Sequence, residues 1–259
     1  MSPDATDAAP RRRIPAVRRG LWWAADYVYA ARRQLAVLAL PWSIGRPRPV
    51  PPRWRSADES LPEVVLLPGV YEHWTFLRPL GDALAAAGFR VSVVHGLGMN
   101  RRSIAATAER LRAELADLPA APTGRVLVAH SKGGLIGKHL LVSEQAAAEA
   151  GAPSALGLRG LVAVATPFGG ARRAVLLFAD PSIRAFLPGD ATIVELDLAA
   201  HVNARIVSIY GPYDPHITEG SALVGATNVE VPMGGHFRVL QPASTHRAVV
   251  DGIRHLTAG

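Results

Sequence analysis

The sequence predicts an α/β protein built on a mostly parallel sheet of about six strands, with helices on both faces. Three observations predict it. From residue 63 onward, short β-rich apolar runs alternate with helical stretches, the order expected of parallel strands joined by crossover helices. Those runs are nearly continuous in apolar residues, as in strands buried on both faces. Hydrophobic residues make up 49% and charged residues 19% of the 259, a balance that supplies a core and excludes global disorder.

The elements follow in chain order. Residues 1–13 read as a disordered leader. Residues 16–42 read as a helix: Ala24, Val28, Ala31, Leu35 and Leu38 follow helical spacing, Arg19, Asp26 and Arg33 line a second face, and Pro41 ends it. Residues 46–53 carry four prolines and form an extended linker. Strands are expected at Glu63–Leu67, Phe89–Val94, Arg125–Ala129, Leu158–Ala165, Arg205–Tyr210 and Asn228–Val231. Helical stretches fall near 74–87, 102–118, 132–150, 170–186 and 243–256, with Gly88 and Gly96 as breakers. The organisation is thus an N-terminal arm over 1–60 and a main domain over 61–259.

Charge separates the two parts. Residues 1–60 hold 11 Arg against 5 acidic residues, whereas the remainder is nearly balanced. The chain has 26 Arg but 2 Lys and is rich in alanine, a bias of GC-rich coding, so the arginines do not by themselves point to nucleic acid. The arm's longest uncharged run, Gln34 to Gly45, is too short to span a bilayer. Asp26 interrupts the apolar region a signal peptide would need. Two placements fit the arm. It docks on the main domain, or it makes a peripheral membrane contact through residues 16–42, with Trp22, Trp23, Tyr27 and Tyr29 at the interface. A cytoplasmic location is expected, with the inner membrane face as the alternative. With no cysteine in the chain, disulfides, thiolate metal sites and cysteine nucleophiles are excluded.

In open α/β sheets, function collects at the carboxyl ends of the strands. Those ends read Pro68-Gly69-Val70-Tyr71, His95-Gly96, His130-Ser131-Lys132-Gly133-Gly134, Thr166-Pro167-Phe168-Gly169-Gly170, Gly211-Pro212-Tyr213-Asp214 and Pro232-Met233-Gly234-Gly235-His236. One serine, one aspartate and one histidine stand on one edge. A serine hydroxyl needs a base within hydrogen-bond reach and a third group to orient that base. It also needs a sharp strand-to-helix turn, which small residues two before and two after it permit; here they are Ala129 and Gly133.

The stretch AHSKG resembles the A-x-S-x-G variant of the G-x-S-x-G nucleophile elbow. LLPGVYEHWTFLRPLGDALAAAGFRV resembles an oxyanion loop with its following helix, ATPFGG the T-P-x-x-G segment of lipases, and IYGPYD and MGGH the acid and histidine turns. On these motifs residues 63–257 resemble the α/β-hydrolase superfamily, in particular small bacterial lipases and esterases, in a minimal form of about six strands with a short cap. The departures are Ala129 for the usual glycine, Pro68-Gly69 for His-Gly, Lys132 for a hydrophobic residue or glutamine, and Phe168 for histidine.

The resemblance implies a serine hydrolase of carboxylic esters working through an acyl-enzyme. Ser131 is the expected nucleophile, His236 the base and acid, and Asp214 its orienter. The amides of Val70 and Lys132 are the expected oxyanion donors, with Tyr71 as alternate to Val70. His130 competes with His236 by proximity, and Asp190 and Asp197 with Asp214, although both precede the fifth strand. His73, Phe168, Leu177, Phe178 and His216 are expected around the substrate, a small-molecule or lipid ester. The Lys132 ammonium either favours a nearby anion or points to solvent. The same triad would also serve an acyltransferase, thioesterase or amidase, and the fold a non-catalytic binding protein. The sequence holds neither a metal-ligand motif nor a nucleotide-binding loop, so no cofactor, no metal and no nucleic-acid partner is expected.

Overall fold

A computed structural model describes residues 14–38, 49–118, 121–152, 156–172 and 187–258. After helix α1 (Ala16–Leu38) come β1 (Glu63–Leu67), a short 3-10 turn (Trp74–Leu77) leading into α2 (Arg78–Ala86), β2 (Val91–Val93) and α3 (Ile104–Ala116). Then follow β3 (Arg125–His130), α4 (Lys132–Glu149), β4 (Leu158–Val164), α5 (Ala191–Leu198), β5 (Ile206–Tyr210), β6 (Thr227–Glu230) and α6 (Ala243–Thr257). The six strands form one parallel sheet in the order β2-β1-β3-β4-β5-β6. Each strand overlaps its predicted range. Helix α5 falls where none was expected, and most of the expected 170–186 helix, with Leu177 and Phe178, lies outside the described residues.

The strand pleat divides the core in two. Val65, Leu67, Leu127 and Ala129 face α3 and α4, through Leu111, Leu115, Leu135 and Leu140. Val64, Leu66, Val126 and Val128 face α2 and α6, through Leu80, Leu84, Val249 and Ile253. Both faces of the central strands are therefore covered, which is why those strands carry no polar alternation. Each such aliphatic side chain contributes about 1.5–3 kcal/mol on leaving water.

The strand order sets where a ligand can enter. From β1 the chain steps outward to β2 and then returns to β3 on the other side of β1. Such a reversal opens a crevice at the carboxyl ends of the two strands. Pro68-Gly69-Val70 and His130-Ser131 border it.

The arm helix packs on this edge through its charged face. The stripe grouped by helical spacing points to solvent: Val28 is 54% and Leu35 59% exposed, and Val17 (77%) and Leu21 (67%) extend it. The second face, with fully buried Asp26 and half-buried Arg33, meets the domain. The edge below offers unpaired backbone N–H and C=O groups, which polar side chains satisfy and aliphatic ones cannot. Of the four aromatics expected at a membrane, only Trp23 is exposed; Trp22, Tyr27 and Tyr29 are half-buried.

Candidate active site

Ser131 joins β3 to α4 with φ 51° and ψ −121°. A non-glycine residue there stores about 1–3 kcal/mol of strain, and persists where its surroundings hold it. They do so tightly. The Ser131 N–H donates to the Val164 carbonyl at 2.9 Å, and the Thr166 hydroxyl donates to the Ser131 carbonyl at 3.0 Å. A Cβ on Gly133 would lie 2.4 Å from the Leu67 carbonyl oxygen, and one on Gly134 would lie 2.0 Å from Thr166 Oγ1. Only glycine at both positions lets α4 start this close to the sheet.

The turn brings the hydroxyl to a histidine from the far end of the chain. His236 Nε2 lies 3.0 Å from Ser131 Oγ, and His236 Nδ1 lies 2.7 Å from Asp214 Oδ2. An ionised carboxylate only accepts, so Nδ1 carries the ring proton and Nε2 presents a lone pair to the serine. The other oxygen, Asp214 Oδ1, accepts the amides of His216 (2.8 Å) and Ile217 (3.0 Å). Burial pushes the Asp214 carboxyl up. The charge and hydrogen bond of His236, with the His216 ring and amide, outweigh it and hold Asp214 below the usual carboxylate range. Burial pushes His236 down, but Asp214, then Asp26 and Glu72, outweigh it and hold the imidazole above the ordinary histidine value. Burial, with the neighbouring His236, lowers His216 to about 4, so that ring is neutral at pH 7.

The backbone of His236 is held as firmly as its ring. Its N–H donates to Asp26 Oδ2 at 3.0 Å. Its carbonyl accepts from His130 Nε2 at 3.0 Å, and His130 Nδ1 lies 2.9 Å from Glu72 Oε1. The elbow histidine thus ties the base loop to Glu72 and has its ring nitrogens engaged there; it is not the serine's partner.

Glu72 also shapes the loop after β1. Its Oε2 accepts the Gly69 N–H at 2.7 Å, and its own N–H donates to the Gly69 carbonyl at 3.3 Å. Asn100 Nδ2 donates to the Pro68 carbonyl and Gln34 Nε2 to the Tyr71 carbonyl, both at 2.7 Å. Tyr71 sits at φ 60°, in the left-handed region, and these anchors hold the peptides on either side of Val70-Tyr71. Opposite this loop, the Lys132 amide lies in the first turn of α4, where N–H groups have no intrahelical acceptor. The Lys132 side chain does not reach solvent: it is fully buried, and its Nζ donates to the Asn100 carbonyl at 3.0 Å and to that of Arg102.

A cavity of about 500 Å³ opens over Ser131 and His236. Val70, Tyr71, Phe76, Pro167, Ala171, Ile217 and Phe237 make its wall mostly apolar, and α1 closes one side with Tyr27, Ala30 and Gln34. His216 lines it as expected. His73 and Phe168 do not. His73 caps the turn after the β1 loop, its Nδ1 3.0 Å from Thr75 Oγ1. Phe168 is buried in the α3–α4 core with the Lys138 ammonium 5.9 Å from its ring, because the Thr166-Pro167 turn sends it inward. Asp190 caps α5 and Asp197 lies on that helix, neither at the serine. Among the described residues no group of side chains is arranged to hold a metal ion.

The sequence matches no family model and no curated protein sequence. Solved structures do match in shape. The mature lipase BlEst2 of Bacillus licheniformis superposes with a TM-score of 0.59 at 14% identity, over 82% of this chain and 96% of that one. Lipase B of Aspergillus fumigatus gives 0.64 at 17% identity, over 84% of this chain and 56% of that one. A putative hydrolase from Agrobacterium vitis gives 0.53 at 19% identity, over 76% and 90%. This chain has the α/β-hydrolase fold.

Three residues that hold this α/β-hydrolase edge together escaped the sequence reading. Glu72 lay inside the quoted loop segment but carried no pattern of its own. Gln34 is an uncharged side chain on an exposed-looking helix. Asp26 read only as one of three charged residues on a second helix face and as the acid that spoils a signal peptide. The signal it offered was its isolation, the sole acid in a helix of 23 residues with four arginines.

Proposed function

We propose that this protein is a serine ester hydrolase working through an acyl-enzyme. The observation that carries the reading is the continuous line Asp214–His236–Ser131, at 2.7 and 3.0 Å, at the floor of an apolar cavity. Ser131 Oγ attacks the ester carbonyl while His236 Nε2 takes its proton. Asp214 holds the imidazole in that tautomer and stabilises the imidazolium. The Val70 and Lys132 amides, on facing sides of the crevice, receive the oxyanion, with Tyr71 as alternate to Val70. His236 returns the proton to the leaving alcohol and then activates water on the acyl-enzyme. The apolar wall suits an aliphatic acyl group, and the lipases among the structural neighbours agree with a lipid ester.

The outer face of α1 supplies the setting. Val17, Leu21, Val28 and Leu35 form an exposed apolar stripe, exposed Arg18 and Arg32 flank it, and the helix's one acid is buried. Pairing with a second copy would leave those arginines without an acidic partner; an anionic bilayer accepts both stripe and charge. Among the described residues no helix is long and apolar enough to cross a membrane, so this contact is peripheral.

Intact mass after exposure to a fluorophosphonate tests the chemistry. One adduct on the native protein and none on Ser131→Ala is the expected result. A well-folded native protein that takes no adduct sinks the reading.

A further inference from the structure

We propose that the N-terminal helix is a working part of the active site, with Asp26 as the positioning residue for His236. The inference rests on the serine-hydrolase reading above. Asp26 is the one fully buried residue among the described side chains of α1, whose other residues are half-buried or exposed. Its carboxylate accepts three consecutive backbone amides: Oδ2 takes His236 N–H at 3.0 Å, and Oδ1 takes those of Phe237 (2.8 Å) and Arg238 (2.7 Å). These donors end the loop that carries the base, and α1 brings their acceptor from 210 residues away. Both oxygens engaged by N–H donors suit an ionised carboxyl. Burial holds Asp26 above the usual carboxylate range, while the three amides and the His236 imidazole pull it down.

The loop is shaped to receive this helix. Gly235 has φ 121°, and a Cβ there would lie 2.6 Å from Asp26 Oδ1; a Cβ on Gly234 would lie 2.2 Å from the Trp22 ring. The two glycines before His236 therefore do more than make a turn. They remove the side chains that would hold α1 away.

The other end of the same helix reaches the opposite side of the site. Gln34 donates to the Tyr71 carbonyl at 2.7 Å, and Arg33 donates to the Phe76 carbonyl at 3.3 Å and to that of Thr75. Asp26 and Gln34, eight residues apart, are about 12 Å apart along the helix axis. One rigid element thus fixes both the loop that carries the base and the loop expected to bind the oxyanion, while Tyr27 and Ala30 between them close the cavity.

Asp26→Asn in the full chain tests this. Asparagine keeps the shape and one accepting oxygen, but removes the charge and turns an amide toward an N–H donor. The titratable groups facing His236 are Asp26 from α1, Glu72 from the β1 loop, His130 from β3, and Asp214 and His216 from the β5 loop; the variant alters only the first. The fluorophosphonate labelling rate at pH 7 should fall about tenfold to 100-fold, the loss that follows small misplacement of a reacting group. The His236 ring titration, followed by NMR without any substrate, should move to lower pH, because an anion that favours imidazolium is gone. Trp22→Ala, which loosens packing but keeps the carboxylate, should leave that titration in place. A folded Asp26→Asn protein with parental labelling rate and unmoved titration overturns the proposal. If the native protein takes no label, the hydrolase reading fails, and the titration alone still decides for or against Asp26. If Asp26→Asn does not fold, Asp26→Glu replaces it: charge retained and donors displaced should slow labelling severalfold with the titration still raised, and a parental rate overturns the proposal.

Discussion

Two carboxylates reach the His236 loop, one from each region of the chain. Asp214 comes from the carboxyl edge of the sheet, 22 residues before the histidine, and binds its ring. Asp26 comes from α1 and binds its backbone. The first sets tautomer and charge on the atom that moves a proton. The second sets where the ring stands. The sheet edge supplies the ring's partner and, through His130, one anchor on the His236 carbonyl, while the three amides of residues 236–238 are held from α1. The difference shows that the site's boundary does not coincide with the α/β sheet's.

The comparison breaks most sharply at Asp214. Asp214→Asn should lower kcat for ester hydrolysis by about 10⁴-fold, because the asparagine amide favours the wrong imidazole tautomer. In the native protein the acid limb of kcat/KM should lie above the ordinary histidine pKa of about 6.5, since Asp214, Asp26 and Glu72 together raise His236. Activity is lost as pH falls through that raised value, where Nε2 gains a proton. The stability that the imidazolium's partners contribute runs the other way: it is present at low pH and lost as pH rises through the same value. His216, lowered to about 4, adds no second limb between pH 5 and 8. A pH-rate profile with its limb at or below 6.5 would contradict this.

Glu72 is where the sheet edge meets the loop that α1 also grips. Glu72→Ala leaves the Gly69 amide and His130 Nδ1 buried without their hydrogen-bond partner. Stability should fall by about 3 kcal/mol in urea unfolding. A loss under 1 kcal/mol would mean that water replaces the carboxylate.

The smallest effect is expected on the outside of α1. Val28→Asp changes an exposed side chain, so stability should stay within about 0.5 kcal/mol and fluorophosphonate labelling should be unchanged. Sedimentation with anionic phospholipid vesicles should drop severalfold. If it does not, the outer face is not the membrane contact, and only the inner face of α1 has a role.

The sheet edge was legible because its chemistry is local. A strand, a strained turn and two small residues leave a readable mark around Ser131, and Gly-Pro and Gly-Gly turns mark the Asp214 and His236 ends. Strand order was beyond the sequence, but the carboxyl-edge rule needs only strand ends. What failed to read were contacts between distant polar groups. His73 and Phe168 sit beside site residues in sequence, yet a cap and an inward turn take them elsewhere. The docking face of α1 went unread for a related reason: periodicity sorts residues by apolarity, and this helix docks by hydrogen bonds. Asp26, Arg33 and Gln34 meet bare backbone that no pattern in the sequence announces.

The pairing of residue 26 with residue 236 also bears on how the protein is made. Synthesis delivers Asp26 210 residues before His236. Until residues 236–238 have emerged, the Asp26 carboxylate lacks those three amides and Ser131 lacks its histidine neighbour. On the serine-hydrolase reading, a nascent chain carrying a finished elbow is therefore still inert toward esters, and competence waits for the His236 loop to meet α1.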